Sequence, residues 1–451
     1  MHSSLIQKRP NFKKNLPKFV YRGCETAVNC LEVVKLKTEL GVNQHFLWAG
    51  ERDGSISIYN LSSQHLVLSF ENFSKSSYKS KKTGDVLDSV LGITDLDGGY
   101  VLTYSRSLEM QIWYWTLSGS ALPASLVGTT DRNTLDPILF IPPFPILVAS
   151  FPTDSLTFCC PSVLKALPET TKTFPDGLVR RLKWIASPFS ESGLIEIVCV
   201  CLPPLATDLV LNHKVYFQSP ETFFTRVTNF QAASENNMPM ALELYSNACA
   251  DSENSLECFL LIAFEDGSLQ WHMLGLDQQL EAMQVRHQLL WEITRLHSVP
   301  ILAVVVSEDK SFGFSVCLDG KLARFNLDYS GAELAKIQEN DQNAPKLSQP
   351  ILEPPSLESH SITMKQLDSG GSCATIRNGT IAIGHLDNNI GIYSISDMQL
   401  IRKLNFHREK IAHVFYFDGS DCIAKTLKTS SNFLFAASQD SRISLWEALE
   451  P

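Results

Sequence analysis

A short pattern recurs along this chain, and a repeated unit constrains the fold more than any other feature because it must stack on copies of itself. Residues 46–60 (FLWAGERDGSISIYN) read as a strand, a turn at Asp53-Gly54 and a second strand with period-two alternation. The pattern returns at 260–271 (LLIAFEDGSLQW), at 313–325 around Asp319-Gly320, at 381–393, and at 433–446 around Asp440. Two weaker copies are Gly99 to Trp113, where the turn residues are degraded, and Ile195 to Tyr216, where Pro203-Pro204 separates two apolar strands. The aromatics closing the copies are Tyr59, Trp113, Tyr216, Trp271, Phe325, Tyr393 and Trp446, spaced by 54, 103, 55, 54, 68 and 53 residues.

Each copy is a small antiparallel sheet with apolar residues on both faces, which cannot bury itself alone. Stacking around a closed ring covers those faces and protects most strand edges. The expected fold is therefore all-β, a seven-bladed WD40 β-propeller. Eight blades is the alternative, because the 103-residue interval holds strand-like text at Ile138 to Val148, Leu156 to Cys160, Leu178 to Ile185 and Ile195 to Cys201. A spacing near 54 exceeds the ~40–45 residues of a compact WD40 unit. The excess is placed in insertions at 72–84, 161–194 and 329–358, after a basic tail over 1–17, within a single propeller spanning 18–451. The last copy ends at Trp446 and the first is preceded by Lys18-Phe-Val-Tyr-Arg22, so an N-terminal strand completing the last sheet is the expected clasp.

Composition narrows the function classes. The 451 residues carry 38 Lys and Arg against 48 Asp and Glu, a formal charge of −10, and such a balance disfavours direct nucleic-acid binding. Eleven cysteines, an odd number, include Cys159-Cys160 and the pair Cys199 and Cys201 in apolar strand-like text, where thiols act as small buried hydrophobes. A disulfide framework is not expected, and a reducing compartment fits. Residues Met1 to Pro17 lack the apolar segment of a signal peptide, and the apolar runs near Ile138 and Ile197 are broken by Pro142, Pro143, Pro145 and by Glu196, so no membrane association is expected. The islands Lys8-Arg9 with Lys13-Lys14, and Lys75, Lys79 and Lys81-Lys82, read as solvated loops, with nuclear import or an acidic partner as the alternative.

Little text carries chemistry. In the last copy His407, Ser438, Asp440 and Trp446 have the order of the hydrogen-bonded tetrad of a WD blade, with a structural role: histidine to aspartate, relayed through the serine to the indole. In the first copy the expected Gly-His reads Gly23-Cys24 and Tyr59 replaces tryptophan, so packing alone is expected to hold that blade. His407 and His413 do not form a His-Glu-x-x-His helix, Asp95 and Asp97 lack the later ligands of a calcium loop, and Gly370-Gly371-Ser372 is neither a phosphate loop nor a nucleophile elbow. No catalytic residue, cofactor or metal is expected.

Several stretches resemble the ASTRA-associated protein 1 family, whose animal relative is the guanine-nucleotide-binding protein β-subunit-like protein 1. They are Pro17 to Gly23, Asp154 to Cys159, Met238 to Leu244, Ala263 to Gly267, His297 to Ile301, Arg377 to Gly384, Ile392-Tyr393, Leu404 to His407 and Ala436 to Trp446. Where that family tends to have Gly-Trp-Asp, this chain reads Gly384-His385-Leu386-Asp387. The resemblance implies a non-enzymatic WD-repeat scaffold of the ASTRA complex, nuclear or shared between nucleus and cytoplasm, linked to chromatin remodelling and to maturation of phosphatidylinositol-3-kinase-related kinases. The implied partners are the co-chaperone trio for those kinases, RuvB-like ATPases and the kinase-like transcription adaptor. The alternative class is a propeller hydrolase resembling the WD-repeat diphthine methyl esterase, which would gather His and Asp or Glu at the channel mouth. A G-protein β subunit is disfavoured, since no N-terminal heptad helix precedes the first copy.

Overall fold

The computed structural model describes residues 16–37, 43–71, 89–106, 109–115, 144–153, 158–164, 171–173, 179–189, 193–202, 224–232, 237–246, 255–277, 285–327, 362–419 and 432–448. Every helix or strand among them is a strand, and they group into seven antiparallel sheets. The first blade is β2 (Val28–Lys37), β3 (Asn43–Glu51), β4 (Ser55–Asn60) and β5 (His65–Glu71), preceded by β1 (Phe19–Tyr21). The second is β6 (Val90–Asp95), β7 (Tyr100–Ser105), β8 (Glu109–Tyr114) and β9 (Ile146–Pro152). The third holds β10 (Ser162–Val163), β11 (Thr171–Thr173), β12 (Val179–Phe189), β13 (Leu194–Leu202) and β14 (Phe224–Gln231).

The fourth is β15 (Pro239–Ser246), β16 (Ser255–Phe264), β17 (Leu269–Asp277) and β18 (Val285–Ile293). The fifth is β19 (Ile301–Val306), β20 (Phe312–Cys317), β21 (Lys321–Asn326) and β22 (Thr363–Gln366). The sixth is β23 (Gly371–Arg377), β24 (Thr380–His385), β25 (Asn389–Ser394) and β26 (Leu400–Asn405). The seventh is β27 (Ile411–Asp418), β28 (Asn432–Ser438) and β29 (Ile443–Glu447), with β1 as its fourth strand. The seven sheets form a ring in which first strands meet, β2 on β6, β15 on β19, β19 on β23, β23 on β27 and β27 back on β2.

The core explains why a ring is needed. Seven apolar clusters are present among the described residues, and each is shared by two neighbouring blades. Trp48 and Trp113 of the first and second blades pack in one, Trp271 and Phe325 of the fourth and fifth in another, Ile392 and Trp446 of the sixth and seventh in a third. A blade excised from its neighbours would therefore expose two such surfaces, at ~1.5–3 kcal/mol for each large side chain returned to water. Fold and repeat count agree with the sequence: seven blades, not eight.

The clasp forms as expected. Phe19, Val20 and Tyr21 pair with Leu445, Ser444 and Ile443. Tyr21 is fully buried between Tyr59 of the first blade and Phe435 of the seventh, with ring centroids 5.3 and 6.1 Å away. The Lys18–Glu447 ion pair at 2.8 Å is half-exposed, so it adds at most ~1 kcal/mol and the apolar contacts do the closing.

The third blade departs from the sequence reading. Range 161–194, expected as an insertion, holds β10, β11 and β12. The run Ile195 to Leu202 is one strand paired on both sides, with β12 and β14, rather than the first half of a pair reaching Tyr216, which lies outside the described residues. The turn from β12 to β13 passes through Gly193, with φ +64°, and carries no Asp-Gly signal. The expected insertions 72–84 and 329–358 and residues 1–15 of the tail also lie outside the described residues. In five blades the second residue of the turn between second and third strands takes positive φ, namely Gly54, Gly267, Gly320, Asn388 and Ser441. That left-handed region suits glycine and, less well, asparagine. At Gly267 a Cβ would stand 2.2 Å from the His297 carbonyl oxygen, so glycine is also required by the close approach of the next loop.

Candidate functional site: hydrogen-bonded loops on one face of the ring

Because the strands of a blade alternate in direction, the turn between its second and third strands lies at the same end as the loop arriving from the previous blade. Side chains at that end tie the two together in the first, fifth, sixth and seventh blades, each with different chemistry. In the seventh, His407 arrives on the incoming loop, with Nδ1 3.1 Å from Asp440 Oδ1. Its Nε2 lies 2.7 Å from Ser444 Oγ, and the Trp446 indole N–H donates to the same oxygen at 2.8 Å. Burial raises the Asp440 carboxyl, but the hydrogen bonds from His407 and the Arg408 amide outweigh it, and its pKa falls below the usual carboxylate value.

His407, Asp440 and Trp446 thus meet as the sequence order suggested, but the relaying hydroxyl is Ser444. Ser438 Oγ instead donates to the Glu409 and Lys410 carbonyl oxygens, at 3.0 and 3.1 Å, and accepts the Asp440 amide at 3.2 Å. The two serines are six residues apart on adjacent strands, and only the cross-strand register places Ser444 beneath the imidazole.

The first blade is not held by packing alone, contrary to the sequence reading. Glu51, two residues before Asp53 and so at the position of Ser438, is fully buried. Its Oε2 accepts the Glu25 and Thr26 amides at 2.9 and 3.0 Å, and its Oε1 accepts Ser57 Oγ at 2.7 Å. The Tyr59 hydroxyl contacts Cys24 Sγ at 3.3 Å and donates to the Arg22 carbonyl oxygen at 3.3 Å. Burial, then the Glu51 charge, pushes the Cys24 thiol up to about 12. A buried carboxylate has replaced the missing histidine; glutamate in a strand-to-turn position was the available signal.

The sixth blade reverses the direction of the tie. His385 sits on β24, again at the Ser438 position, with Nδ1 3.2 Å from the Ser369 carbonyl oxygen and Nε2 3.2 Å from the Tyr393 hydroxyl. In the fourth blade the residue matching Trp446 is His272 and not Trp271: the register irregularity between β17 and β18 falls at Trp271/His272, as it falls at Ile58/Tyr59 in the first. One residue changes the face of a strand. Trp271 packs toward the fifth blade, whereas His272 points the other way, its Nε2 3.0 Å from Gln270 Oε1. Burial, and then the nearby His287, lower its pKa to about 3.

The fifth blade gathers His297, Cys317 and Asp319, whose ligand-type atoms lie within 4.8 Å of one another. His297 occupies the place of His407, Cys317 that of Ser438 and Asp319 that of Asp440. His297 Nε2 is 2.9 Å from Ser315 Oγ, while its Nδ1 is 3.6 Å from Asp319 Oδ1, outside hydrogen-bond reach. The Cys317 thiol donates to Asp319 Oδ1, and burial followed by that bond pushes it up to about 12. Cys, His and Asp are together here in an order unsuited to a nucleophile, since the thiol is bonded to the carboxylate and not to the imidazole.

The remaining sequence candidates have structural partners. His413 is half-buried on β27 with its ring 6.1 Å from that of Phe415. Asp95 accepts the Asp97 and Lys35 amides, and Asp97 at φ +68° begins the hairpin turn that the sequence suggested. Ser372 Oγ donates to the Gly384 and Ile411 carbonyl oxygens and so joins the sixth blade to the seventh. Nine cysteines lie among the described residues, all free; Cys199 and Cys201 are buried on β13. No helix among the described residues is long and apolar enough to cross a membrane.

Seven antiparallel sheets in a ring, six of four strands and one of five, an N-terminal strand closing the last sheet, and a His–Asp–Ser–Trp network in that sheet define a WD-repeat β-propeller. No family model matches the chain. In sequence it is similar to ASTRA-associated protein 1 of Aspergillus niger, 22% identical over 416 residues that cover 89% of this chain and 81% of the relative. This bears out the resemblance read from the motifs. In fold it is similar to Saccharomyces cerevisiae Sqt1, with a TM-score of 0.51 over 97% of this chain and 100% of the other, at 10% identity.

Proposed function

We propose that this protein is a non-catalytic WD-repeat scaffold subunit of the ASTRA complex, serving chromatin remodelling and the maturation of phosphatidylinositol-3-kinase-related kinases in the nucleus, with a share in the cytoplasm. Its partners on this reading are the co-chaperone trio for those kinases, the RuvB-like ATPases and the kinase-like transcription adaptor. The observation that carries the proposal is similarity to a protein named for ASTRA association along nearly the whole chain. The architecture supports it, since a ring with loops tied by buried hydrogen bonds presents fixed surfaces to other proteins.

One feature of that loop face suits protein docking. Leu318 and Leu386 each precede the turn aspartate, in the fifth and sixth blades, and are 40% and 37% exposed. The same position holds Arg52, Glu265 and Gln439 in the first, fourth and seventh blades. The two leucines flank Gly370, where a Cβ would meet both the Leu318 carbonyl oxygen and the Leu386 side chain. Adjacent exposed leucines at an otherwise polar position form an apolar patch of the kind partner surfaces use. Affinity purification of the tagged full chain from cells, followed by cross-linking, tests the proposal. Recovery of the co-chaperone trio and RuvB-like ATPases is expected, reduced in Leu318→Asp/Leu386→Asp; their absence from the wild-type eluate would refute it.

A further inference from the structure

The seventh and fifth blades place the same three positions at the same turn, and the fifth leaves its histidine Nδ1 3.6 Å from the aspartate where the seventh joins the two at 3.1 Å. We propose that His297 Nδ1, Cys317 Sγ and Asp319 Oδ1 form a site for a zinc-class divalent cation that ties the incoming loop of the fifth blade to the turn between β20 and β21. Nitrogen, sulfur and oxygen donors of this kind select borderline-soft metals over calcium or magnesium.

Three observations carry it. First, His297 is 1% exposed and its Nδ1 has no hydrogen-bond partner, an arrangement that is costly unless something fills it. Its other nitrogen, 2.9 Å from Ser315 Oγ, is held in the manner that fixes the tautomer of a metal-binding histidine and aims the free lone pair at the cluster. Second, the donor atoms lie within 4.8 Å of one another, with 3.6 Å between His297 Nδ1 and Asp319 Oδ1. Tetrahedral zinc, with bonds of about 2.0–2.3 Å, separates its donors by roughly 3.3–3.8 Å; the histidine–carboxylate pair already stands at that separation, while Cys317 Sγ and Asp319 Oδ1, in hydrogen-bond contact without the metal, part as the thiol proton leaves.

Third, the surroundings match a second layer of support. The Asp319 amide hydrogen faces Cys317 Sγ at 3.4 Å. Ser298 Oγ and Lys321 Nζ hold Asp319 Oδ2 at 3.4 and 3.5 Å, leaving Oδ1, which also accepts the Lys321 amide at 2.9 Å, turned toward the histidine. The Asp319 side chain is 12% exposed, which gives ions a route in and a water the fourth position. On binding, the sulfur–hydrogen bond of Cys317 breaks, the sulfur–metal bond forms and the proton leaves to solvent. One thiolate and one carboxylate then neutralise the dication. In the seventh blade serine replaces the cysteine and the histidine to aspartate distance shortens to 3.1 Å, so hydrogen bonds do the same task without a metal.

The test is equilibrium dialysis of the full chain, stripped of metal, against Zn²⁺, with Co²⁺ as the spectroscopic substitute. The wild type is expected to retain one zinc per chain and to show a thiolate-to-cobalt charge-transfer band. Cys317→Ser installs the residue the seventh blade uses and should lose the band and bind zinc at least ~10-fold more weakly. Cys373→Ser, a buried thiol outside the cluster, should behave as the wild type. Failure of the wild type to retain zinc would overturn the proposal. So would a Cys317→Ser variant that keeps both the band and the affinity, which would place the metal elsewhere. Should Cys317→Ser not fold, as judged by its melting curve in chelator, His297→Gln takes its place: weakened zinc binding is expected, and wild-type affinity would overturn the proposal.

Discussion

The seventh and first blades face each other across the closure of the ring and solve one problem with different residues. Both must satisfy the polar groups of a loop packed on a turn. The seventh uses a chain of donors and acceptors from His407 through Ser444 to Trp446, anchored on Asp440. The first concentrates the task in one buried carboxylate, Glu51, which takes two amides and a hydroxyl. What the repeat preserves is the demand of the backbone for partners, not the side chain that meets it.

The largest effect tests what the two blades share. Removing Ser444 to Pro451 takes away most of β29 and with it the partner of β1. The ring should open, with a loss on the order of the whole ~5–15 kcal/mol stability of a folded chain. Calorimetry reads this as a missing cooperative transition, and an unchanged melting temperature would show that the clasp closes nothing.

Next come the two networks themselves. Glu51→Leu leaves two amides and the Ser57 hydroxyl without their acceptor and should cost about 3 kcal/mol in denaturant titration, with Glu51→Gln retaining part of it. His407→Ala should cost about 2 kcal/mol, because its loss is shared among neighbours that can relax. A double-mutant cycle with Ser444→Ala should give a coupling of about 1 kcal/mol; additivity would mean that the seventh blade's chain does not act as a unit.

The fourth blade extends the comparison to pH, since His272 stands where Tyr59 and Trp446 stand in the other two. Its imidazole is held neutral in the folded chain, with a pKa lowered from 6.5 to about 3. The unfolded chain takes up that proton below about 6.5, so the contribution is complete above this pH and shrinks as pH falls toward 3. At pH 5 the loss should be about 2 kcal/mol, and His272→Phe, which copies Phe325 of the fifth blade, should flatten the acid limb of the melting temperature against pH. The smallest effect is Cys24→His in the first blade, expected within about 0.5 kcal/mol of wild type. Asp53 already caps Ser55 and Glu51 already fills the loop, so a restored histidine finds no open partner; a clear gain in stability would break the comparison.

The sequence showed the ring and most of its blades because alternation and Asp-Gly turns are local signals, and a strand pair needs little else. It failed in the third blade, where the turn at Gly193 lacks the Asp-Gly text and the strand-like run Leu178 to Ile185 fell within an expected insertion, although it is the strand Val179–Phe189 of the blade itself. It also failed at Trp271, because an aromatic one position early looks like a marker until the register places His272 there. The tetrad was legible in its histidine, aspartate and tryptophan. Its serine was not, since Ser438 and Ser444 are both polar residues near the turn and only pairing across β28 and β29 distinguishes them. The cluster of His297, Cys317 and Asp319 was missed because a gap of nineteen residues separates the histidine from the cysteine.

Periodicity and turn chemistry, both readable one residue at a time, dictate that this chain forms small two-faced sheets that must close on one another. Which side chains meet at the tied loops depends on bulges and cross-strand register, and these emerge only when seven sheets pack together. A shift of one residue exchanges the two faces of a strand, so Glu51, His272 and Ser444 acquired their roles from the assembled ring.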